Sequence, residues 1–151
     1  MSDISIANSI FTKLVADATF LDYHGLTTAS TNAQKAVKIQ KEMEPDGLTI
    51  DNIPLTCIYP IPGLRSKLNH LVYDAMFEIT HYSSSSVGVK SATQKAGTMV
   101  MGARAKSLIH QIQLAGATFK VEFQSSFQSN SNVPGIKKYT QRFKISEELP
   151  E

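Results

Sequence analysis

The stretch Leu71–Tyr82, LVYDAMFEITHY, decides the fold class, because apolar residues alternate along it. One side of the predicted strand presents Leu71, Tyr73, Ala75, Phe77 and Ile79, and the other presents Val72, Asp74, Met76, Glu78 and Thr80. A period of two residues is typical of a strand with one face against a core. We therefore predict a long strand here, in a sheet with one buried face.

Three further strands are predicted around it. Ile53–Tyr59 is apolar and β-branched, and we expect it to stop at Pro60-Ile61-Pro62-Gly63, followed by an exposed loop over Leu64–Asn69. Thr118–Phe127 alternates strictly and should bury Phe119, Val121, Phe123 and Phe127. After a polar loop over Gln128–Gly135, the last strand, Ile136–Ile145, should place Tyr139, Phe143 and Ile145 on one face and Lys138, Thr140, Arg142 and Lys144 on the other.

Three helices complete the prediction. Asp3–Asp17 is amphipathic, with Ser2 placed to cap it. After a loop over Leu21–Ser30, a short helix is expected over Thr31–Glu44. Ser91–Gln113 is the major helix, in which the small residues Gly97 and Gly102 would allow close packing against the sheet.

The resulting order is α-α-β-β-α-β-β. It predicts an α+β fold in which helices pack on one face of a mixed, mainly antiparallel sheet and the last two strands form a hairpin. No internal repeat or long linker divides the chain, so residues 1–151 are expected to form one domain, with a frayed tail over residues 147–151.

Composition excludes several classes of protein. The 151 residues are 42% hydrophobic and carry a net charge of +2, which argues against disorder and against an obligate nucleic-acid binder. The single cysteine, Cys57, excludes a disulfide framework and a thiolate zinc cluster. Neither a membrane-spanning run nor a signal-peptide pattern is present, so we expect a soluble protein of a reducing compartment. Ser, Thr, Asn and Gln number 42 against 28 charged residues, so the surface should be rich in hydroxyls and amides.

Charge is distributed unevenly along the chain. Residues 1–89 sum to −3, residues 90–146 to +8 and the last five residues to −3. Such polarity suits head-to-tail association of identical copies. The alternative is that the two halves mix in the folded domain and the asymmetry disappears.

No motif assembles a catalytic or metal site. The spacing of His24, His70, His81 and His110 matches no ligand pair, and we expect each to be a surface or interface residue. Cys57 lies in mid-strand, as expected of an inert buried thiol. We therefore predict no enzyme activity, no cofactor and no metal.

The strand Lys137–Lys144 interleaves basic and aromatic residues, a pattern found in single-strand nucleic-acid binders. Because the aromatic residues lie opposite most of the charges, they are predicted to be core. The charges then form a solvated face or a guarded edge, and no specific nucleic-acid partner is expected.

Across most of its length the chain resembles tail-terminator and tail-completion proteins of long-tailed bacteriophages. The resemblance lies in the order of helices and strands and in short sequence segments, and it includes no diagnostic motif. These segments are ISIANSIFTKLV, IPLTCIYPIPGLRS, LVYDAMFEITHYSSS, SATQKAGTMVMGARAKSLIHQI and ATFKVEFQSSFQSNSNVPGIKKYTQRFKI. It implies a non-catalytic virion protein, assembled in the host cytoplasm, that forms a ring, commonly a hexamer. The ring would end the tail tube and bind the head connector or stopper protein.

A ring needs contact surfaces, and the sequence offers several. The polar segments Pro60–Asn69, Gln128–Gly135 and Ser83–Gly88 are candidate contact loops or ordinary surface loops. The candidate interface side chains are Arg65, Lys67, His70, Lys137, Lys138, Arg142 and Lys144. The alternative functions are another phage neck or baseplate component, such as a head-completion stopper or adaptor, and a small enzyme or ligand-binding domain that uses the Cys57 strand or a histidine.

Overall fold

The computed structural model describes residues 2–65, 71–114, 116–117 and 119–148. Its helices and strands follow one another as α1 (Asp3–Val15), α2 (Ala18–Tyr23), α3 (Asn32–Lys38), β1 (Ile39–Gln40), β2 (Leu55–Arg65), β3 (Val72–Ser83), α4 (Thr98–Ile109), β4 (Glu122–Asn130) and β5 (Lys137–Glu148). The strands form one sheet in the order β1-β2-β3-β5-β4. Only the short β1–β2 pair among them is parallel. The α+β prediction with a mixed, mainly antiparallel sheet is confirmed.

The core lies between one face of the sheet and helices α1, α2 and α4. Ile6, Ile10 and Leu14 recur at helical spacing and are buried along α1. The rings of Phe77 and Phe143, on neighbouring strands, stack with their centroids 5.3 Å apart in this core. We call the sheet face opposite these helices the open face.

The predicted first helix is divided in two. Ser2 caps α1 through a capping box with Ser5, and α1 ends at Val15 rather than at Asp17. The Asp17 side chain accepts a hydrogen bond from the Phe20 N–H and so begins α2, where a loop was predicted from Leu21. The local signal is an Asp in an N-cap position, and it outweighs the continuous amphipathic pattern.

The predicted second helix is also shorter than the pattern indicates. Thr31 caps α3, which ends at Lys38 instead of Glu44. Ile39 adopts an extended conformation, is fully buried, and begins β1, which pairs with Thr56 and Cys57 of β2. Burial of a β-branched residue against the sheet here overrides helix propensity.

The prediction that β2 would stop at the Pro60–Gly63 segment is wrong, because the strand continues to Arg65. Pro60 lies opposite Phe77, and a register shift follows between Ile61 and Leu64. This part of β2 lies beyond the two-residue β1, so one of its edges is open. Proline is tolerated at an edge because no ladder hydrogen bond is lost there.

The major helix begins seven residues later than predicted. Residues 91–97 are not helical, and Gly97 is the N-cap of α4. A Cβ on Gly97 would lie 2.6 Å from the Ser86 carbonyl oxygen. The two segments can therefore approach this closely because glycine has no Cβ. The carbonyls of Ser85 and Ser86 accept hydrogen bonds from the Thr98 and Met99 N–H groups, so the serine run holds the start of α4.

Close packing at Gly102 is confirmed. A Cβ on this residue would lie 2.5 Å from Cε1 of Tyr139, so α4 approaches β5 more closely there than a larger residue would allow.

The final hairpin is present, with one change of face. A register shift between Phe123 and Ser125 moves Phe127 to the open face, where it is 43% exposed, contrary to its predicted burial. Phe119, also predicted to be buried, precedes the strand and is 41% exposed. The register shift after Phe123 is a β-bulge, which reverses the alternation of faces in the rest of β4, so a strict period of two does not predict the exposure of Phe127. β5 runs to Glu148, so the first two residues of the predicted tail pair with β3.

Candidate functional site

The predicted interface residues of the final strand divide between the two faces of β5. Lys138, Arg142 and Lys144 lie on the open face together with Thr140, as alternation predicts. Lys137 lies on the other face, opposite Ser83 on one side and Asn130 on the other. The open face therefore carries three of the four basic residues predicted for β5.

Arg142 is held by an ion pair with a buried carboxylate. Its Nη2 and Nε donate to Oε2 of Glu78, directly opposite on β3, over 3.0 and 3.2 Å. The side chain of Glu78 is only 10% exposed, whereas that of Arg142 is 39% exposed. The guanidinium also lies 6.0 Å from the ring centroid of Phe127. Arg142 is therefore partly exposed on the predicted face, and its charge is paired with that of Glu78 at its partner position.

The other lysines of the open face are also engaged. Nζ of Lys144 lies 3.4 Å from Oε2 of Glu122, at the start of β4. Nζ of Lys138 lies 5.9 Å from the ring centroid of Tyr82. The surface that these residues present to solvent is therefore of mixed charge with one exposed aromatic ring, Phe127.

A row of hydroxyls crosses the middle of the open face. The Tyr59 hydroxyl lies 3.0 Å from Oγ1 of Thr80, which lies 3.2 Å from Oγ1 of Thr140. Burial raises the pKa of Tyr59 to about 12. These groups satisfy one another and fix the relative positions of β2, β3 and β5.

The remaining predicted interface residues receive little description. The Arg65 backbone ends β2 opposite Tyr73. Lys67 and His70 lie outside the described residues. Each of the three predicted contact loops is partly strand, since β2 includes Pro60–Arg65, β3 includes Ser83 and β4 includes Gln128–Asn130.

Cys57 lies in a second apolar cluster that covers one end of the open face. The cluster contains Leu55, Tyr82, Ile53 and Ile136, the last two from loops that fold over the sheet. Burial raises the pKa of the Cys57 thiol to about 12. The thiol is therefore protonated at neutral pH, and burial of this residue is confirmed.

His24 and His81 are not surface residues, and that prediction is wrong for both. Each is at most 3% exposed, and both contact the Thr56 hydroxyl on the helix-covered face. Nε2 of His24 lies 2.7 Å and Nδ1 of His81 lies 3.1 Å from Oγ1 of Thr56. Nδ1 of His24 in turn faces the Phe20 carbonyl oxygen at 2.8 Å.

The chain of polar groups continues through Gln141 to α4. Nε2 of His81 lies 2.9 Å from Oε1 of Gln141, whose Nε2 donates to the Gly102 carbonyl over 2.8 Å. The chain thus joins α2, β2, β3, β5 and α4 through the core.

Burial is the main influence on the pKa of both imidazoles. It lowers the pKa of His24 to about 3, with further lowering by the charges of His81, Lys38 and Lys90. It lowers the pKa of His81 to about 4. A signal for His81 was present in the sequence, because it follows Ile79 by two residues and so lies in phase with the apolar face of β3.

Neither arrangement forms a recognisable catalytic or metal centre. Within the described ranges, three or more His, Cys, Asp or Glu side chains nowhere converge as metal ligands would. Thr56 lies beside both histidines, but it is fully buried. Of the helices that the structure describes, none has the length and apolar character to cross a membrane.

Comparison with known proteins shows a similarity of fold to a solved virion structure. Neither a family model nor a curated protein matches the chain. Among solved structures, a chain of the virion of a native gene transfer agent particle aligns with a TM-score of 0.56 and 13% identity. The alignment covers 94% of this chain and 93% of that chain. The two chains therefore share a fold over nearly their whole length.

Proposed function

We propose that this chain is a structural virion protein that forms a ring at the head-proximal end of a phage tail. There it would end the tail tube and join it to the head connector or stopper protein. The observation that carries the proposal is the fold shared with a gene transfer agent virion chain over 94% of the present chain. The resemblance of its sequence phrases to tail terminators supports the same position in the virion.

The outer edge of the sheet supports self-association. Along β4, every residue except Phe123 is exposed, and the run from Phe123 to Asn130 contains no charge and no proline. Edge strands of monomeric proteins are usually guarded by lysine, proline, a β-bulge or a covering segment. Beyond the bulge after Phe123, the described part of the structure shows neither lysine nor proline along this edge, which suits contact with another subunit.

The basic residues are proposed as contacts with neighbouring copies or with partner proteins. Lys137 and Lys138 lie at the loop end of the β4–β5 hairpin, and Arg142 and Lys144 follow along the open face. Arg65, Lys67 and His70 complete the proposed set. The ion pairs of Arg142 with Glu78 and of Lys144 with Glu122 favour protein contacts over phosphate contacts, because both cations already face carboxylates.

The fold supports a scaffold without catalysis, cofactor or metal. The thiol of Cys57 is protonated, and the imidazoles of His24 and His81 are occupied by buried partners. In this proposal the protein acts in the virion neck after assembly in the host cytoplasm. Its partners are further copies, with six as the expected number, the tail tube protein and the head connector.

Deletion of the gene from the phage that encodes this protein, followed by negative-stain microscopy of the particles, tests the neck position. Tails that are too long or remain unjoined to heads support a terminator. Full heads that lose their genome would instead indicate a head-completion stopper or adaptor. Normal infectious particles would contradict a structural role in the virion and favour a ligand-binding domain.

A control separates loss of the protein from loss of its contacts. We expect the double variant Lys137→Glu/Lys138→Glu to fold and yet fail to restore normal particles when supplied in trans. Lys13→Glu/Lys35→Glu makes the same charge change at one exposed and one half-buried helical position, the same exposure as Lys137 and Lys138, and should restore them. Equal rescue by both variants would remove the two hairpin lysines from the interface.

A further inference from the structure

The hydrogen-bonded chain through the core lacks one hydrogen when its histidines are neutral. Four contacts run from the Phe20 carbonyl through His24, Thr56 and His81 to Oε1 of Gln141. Each contact needs one hydrogen. Two neutral imidazoles and one hydroxyl supply three, and the carbonyl oxygens at the two ends supply none. In one of the four contacts, two acceptor atoms must then face each other with no hydrogen between them.

Rotation of the Gln141 amide does not remove the deficit. Its Nε2 would then donate to His81, but its oxygen would face the Gly102 carbonyl, to which Nε2 now donates over 2.8 Å. The acceptor–acceptor contact would only move to the far side of the amide. The hydrogen-bonded series from Phe20 to Gly102 therefore lacks one hydrogen in either orientation of the Gln141 amide.

One added proton completes every contact. With the charge on His24, Nδ1–H donates to Phe20 and Nε2–H to Thr56, the Thr56 hydroxyl donates to Nδ1 of His81, and Nε2–H of His81 donates to Gln141. If the Nε2 proton of His24 passes to the Thr56 oxygen while the hydroxyl proton passes to Nδ1 of His81, the charge moves to His81. All four hydrogen bonds remain made in both arrangements.

A second proton does not fit. Both imidazoles would then point N–H groups at Oγ1 of Thr56, from 2.7 and 3.1 Å, and the hydroxyl hydrogen would lose its acceptor in the chain. Two positive charges would also flank one oxygen in the core, where such repulsion is poorly screened.

The surroundings oppose protonation without preventing it. Burial and the charges of Lys38 and Lys90 act against a charge on His24. Lys90 is itself paired with the Asp22 carboxylate, which offsets part of its charge. Around His81, the Phe20 and Tyr139 rings lie 6.1 and 6.5 Å away, and the contact with Gln141 favours the charged form.

We propose that the His24–Thr56–His81–Gln141 chain is a proton-binding site that takes up one proton, and only one, in the folded protein. The two imidazoles share this proton across the Thr56 hydroxyl. The protonated chain of hydrogen bonds joins α2 and α4 to three strands with one more hydrogen bond than the neutral chain of hydrogen bonds can make. This property is independent of the virion role proposed above.

Side-chain ¹⁵N NMR of the full chain, labelled at histidine, tests the site between pH 7.5 and 4 while backbone amides report the fold. We expect the ring nitrogens of His24 and His81 to shift together in a single transition that accounts for one proton. Two separate transitions, uptake of two protons by the folded protein, or no change before unfolding would each overturn the proposal.

Substitution of Gln141 provides a second readout. Gln141→Glu places a carboxylate against Nε2 of His81 and should raise the midpoint by about one pH unit or more. Gln124→Glu adds the same charge at an exposed position of β4 and should leave the midpoint unchanged. An equal midpoint in both variants would show that His81 does not bind the proton through this chain. If Gln141→Glu does not fold, the titration of the unaltered protein remains decisive.

Discussion

Glu78 and Arg142 lie directly opposite each other on β3 and β5 and pair with Oε2 3.0 Å from Nη2. The carboxylate is nearly buried and its partner is about two-fifths exposed. This pair fixes the register of the two central strands on the open face. It also holds a cation beside Phe127 at the surface proposed for subunit contact.

Removal of the cation should therefore destabilise the fold. Arg142→Ala leaves the Glu78 carboxylate buried without its partner, at a cost of about 2 kcal/mol after allowance for the exposure of Arg142. Urea unfolding measures this loss in the free energy of unfolding. Lys144→Ala, which breaks the more exposed pair with Glu122, should cost less than about 1 kcal/mol. Equal losses in the free energy of unfolding would show that the burial of Glu78 does not make its ion pair more stabilising than the exposed pair.

Two phenylalanines of the hairpin should differ sharply in their contribution to stability. Phe143→Ala empties a fully buried position that stacks on Phe77, and should cost about 3–5 kcal/mol in free energy of unfolding. Phe127→Ala makes the same change on the open face and should cost less than about 1 kcal/mol. A large loss for Phe127 in chemical unfolding would place its ring in the core and contradict the bulge.

Stability should fall as pH is lowered from 6.5 towards 5. The pKa values of His24 and His81 are lowered to about 3 and about 4, so the unfolded chain, in which histidine titrates near 6.5, binds more protons in this range. The loss approaches about 2.7 kcal/mol per pH unit while both imidazoles are neutral in the folded protein, and about half of that at lower pH, once the folded protein has bound its single proton. Stability is fully retained above pH 6.5.

Urea unfolding at several pH values measures this slope. His81→Gln should reduce it by about half, since one titrating group is removed. Thr140→Val, a buried polar substitution on the open face, should lower stability at every pH without altering the slope. An unchanged slope in His81→Gln would mean that this histidine is not buried in its neutral form.

Cys57 should not react with thiol reagents in the folded protein. It is fully buried, and its raised pKa keeps it protonated. A colorimetric disulfide reagent should modify it only at the rate of unfolding and rapidly in urea. In a Cys57→Ser background, Ser129→Cys on exposed β4 should react at once. Rapid reaction of native Cys57 would contradict its place under the Ile53 and Ile136 loops.

The alternating face of β3 was predictable because one strong signal, period two, governs it. Phe77 and Ile79 face the helices as expected, and His81 continues that phase. The partners Thr56 and Gln141 could not be assigned to it, because strand register is set by pairing across the sheet rather than within one strand.

Other features depend on neighbours that a local pattern does not contain. Pro60 is tolerated in β2 because β1 is only two residues long. The bulge after Phe123 reverses the face of Phe127, and no residue there marks it. The start of α4 at Gly97 depends on a close approach to Ser86, which is also a tertiary effect.

The most direct test of the proposed role is native mass spectrometry of the purified protein, alone and with tail tube protein. We expect a closed homo-oligomer, with six copies, that forms alone or upon addition of the tube protein. Lys137→Glu/Lys138→Glu should weaken it, and Lys13→Glu/Lys35→Glu should not. A strict monomer under both conditions, at concentrations well above those in an infected cell, would rule out the proposed ring.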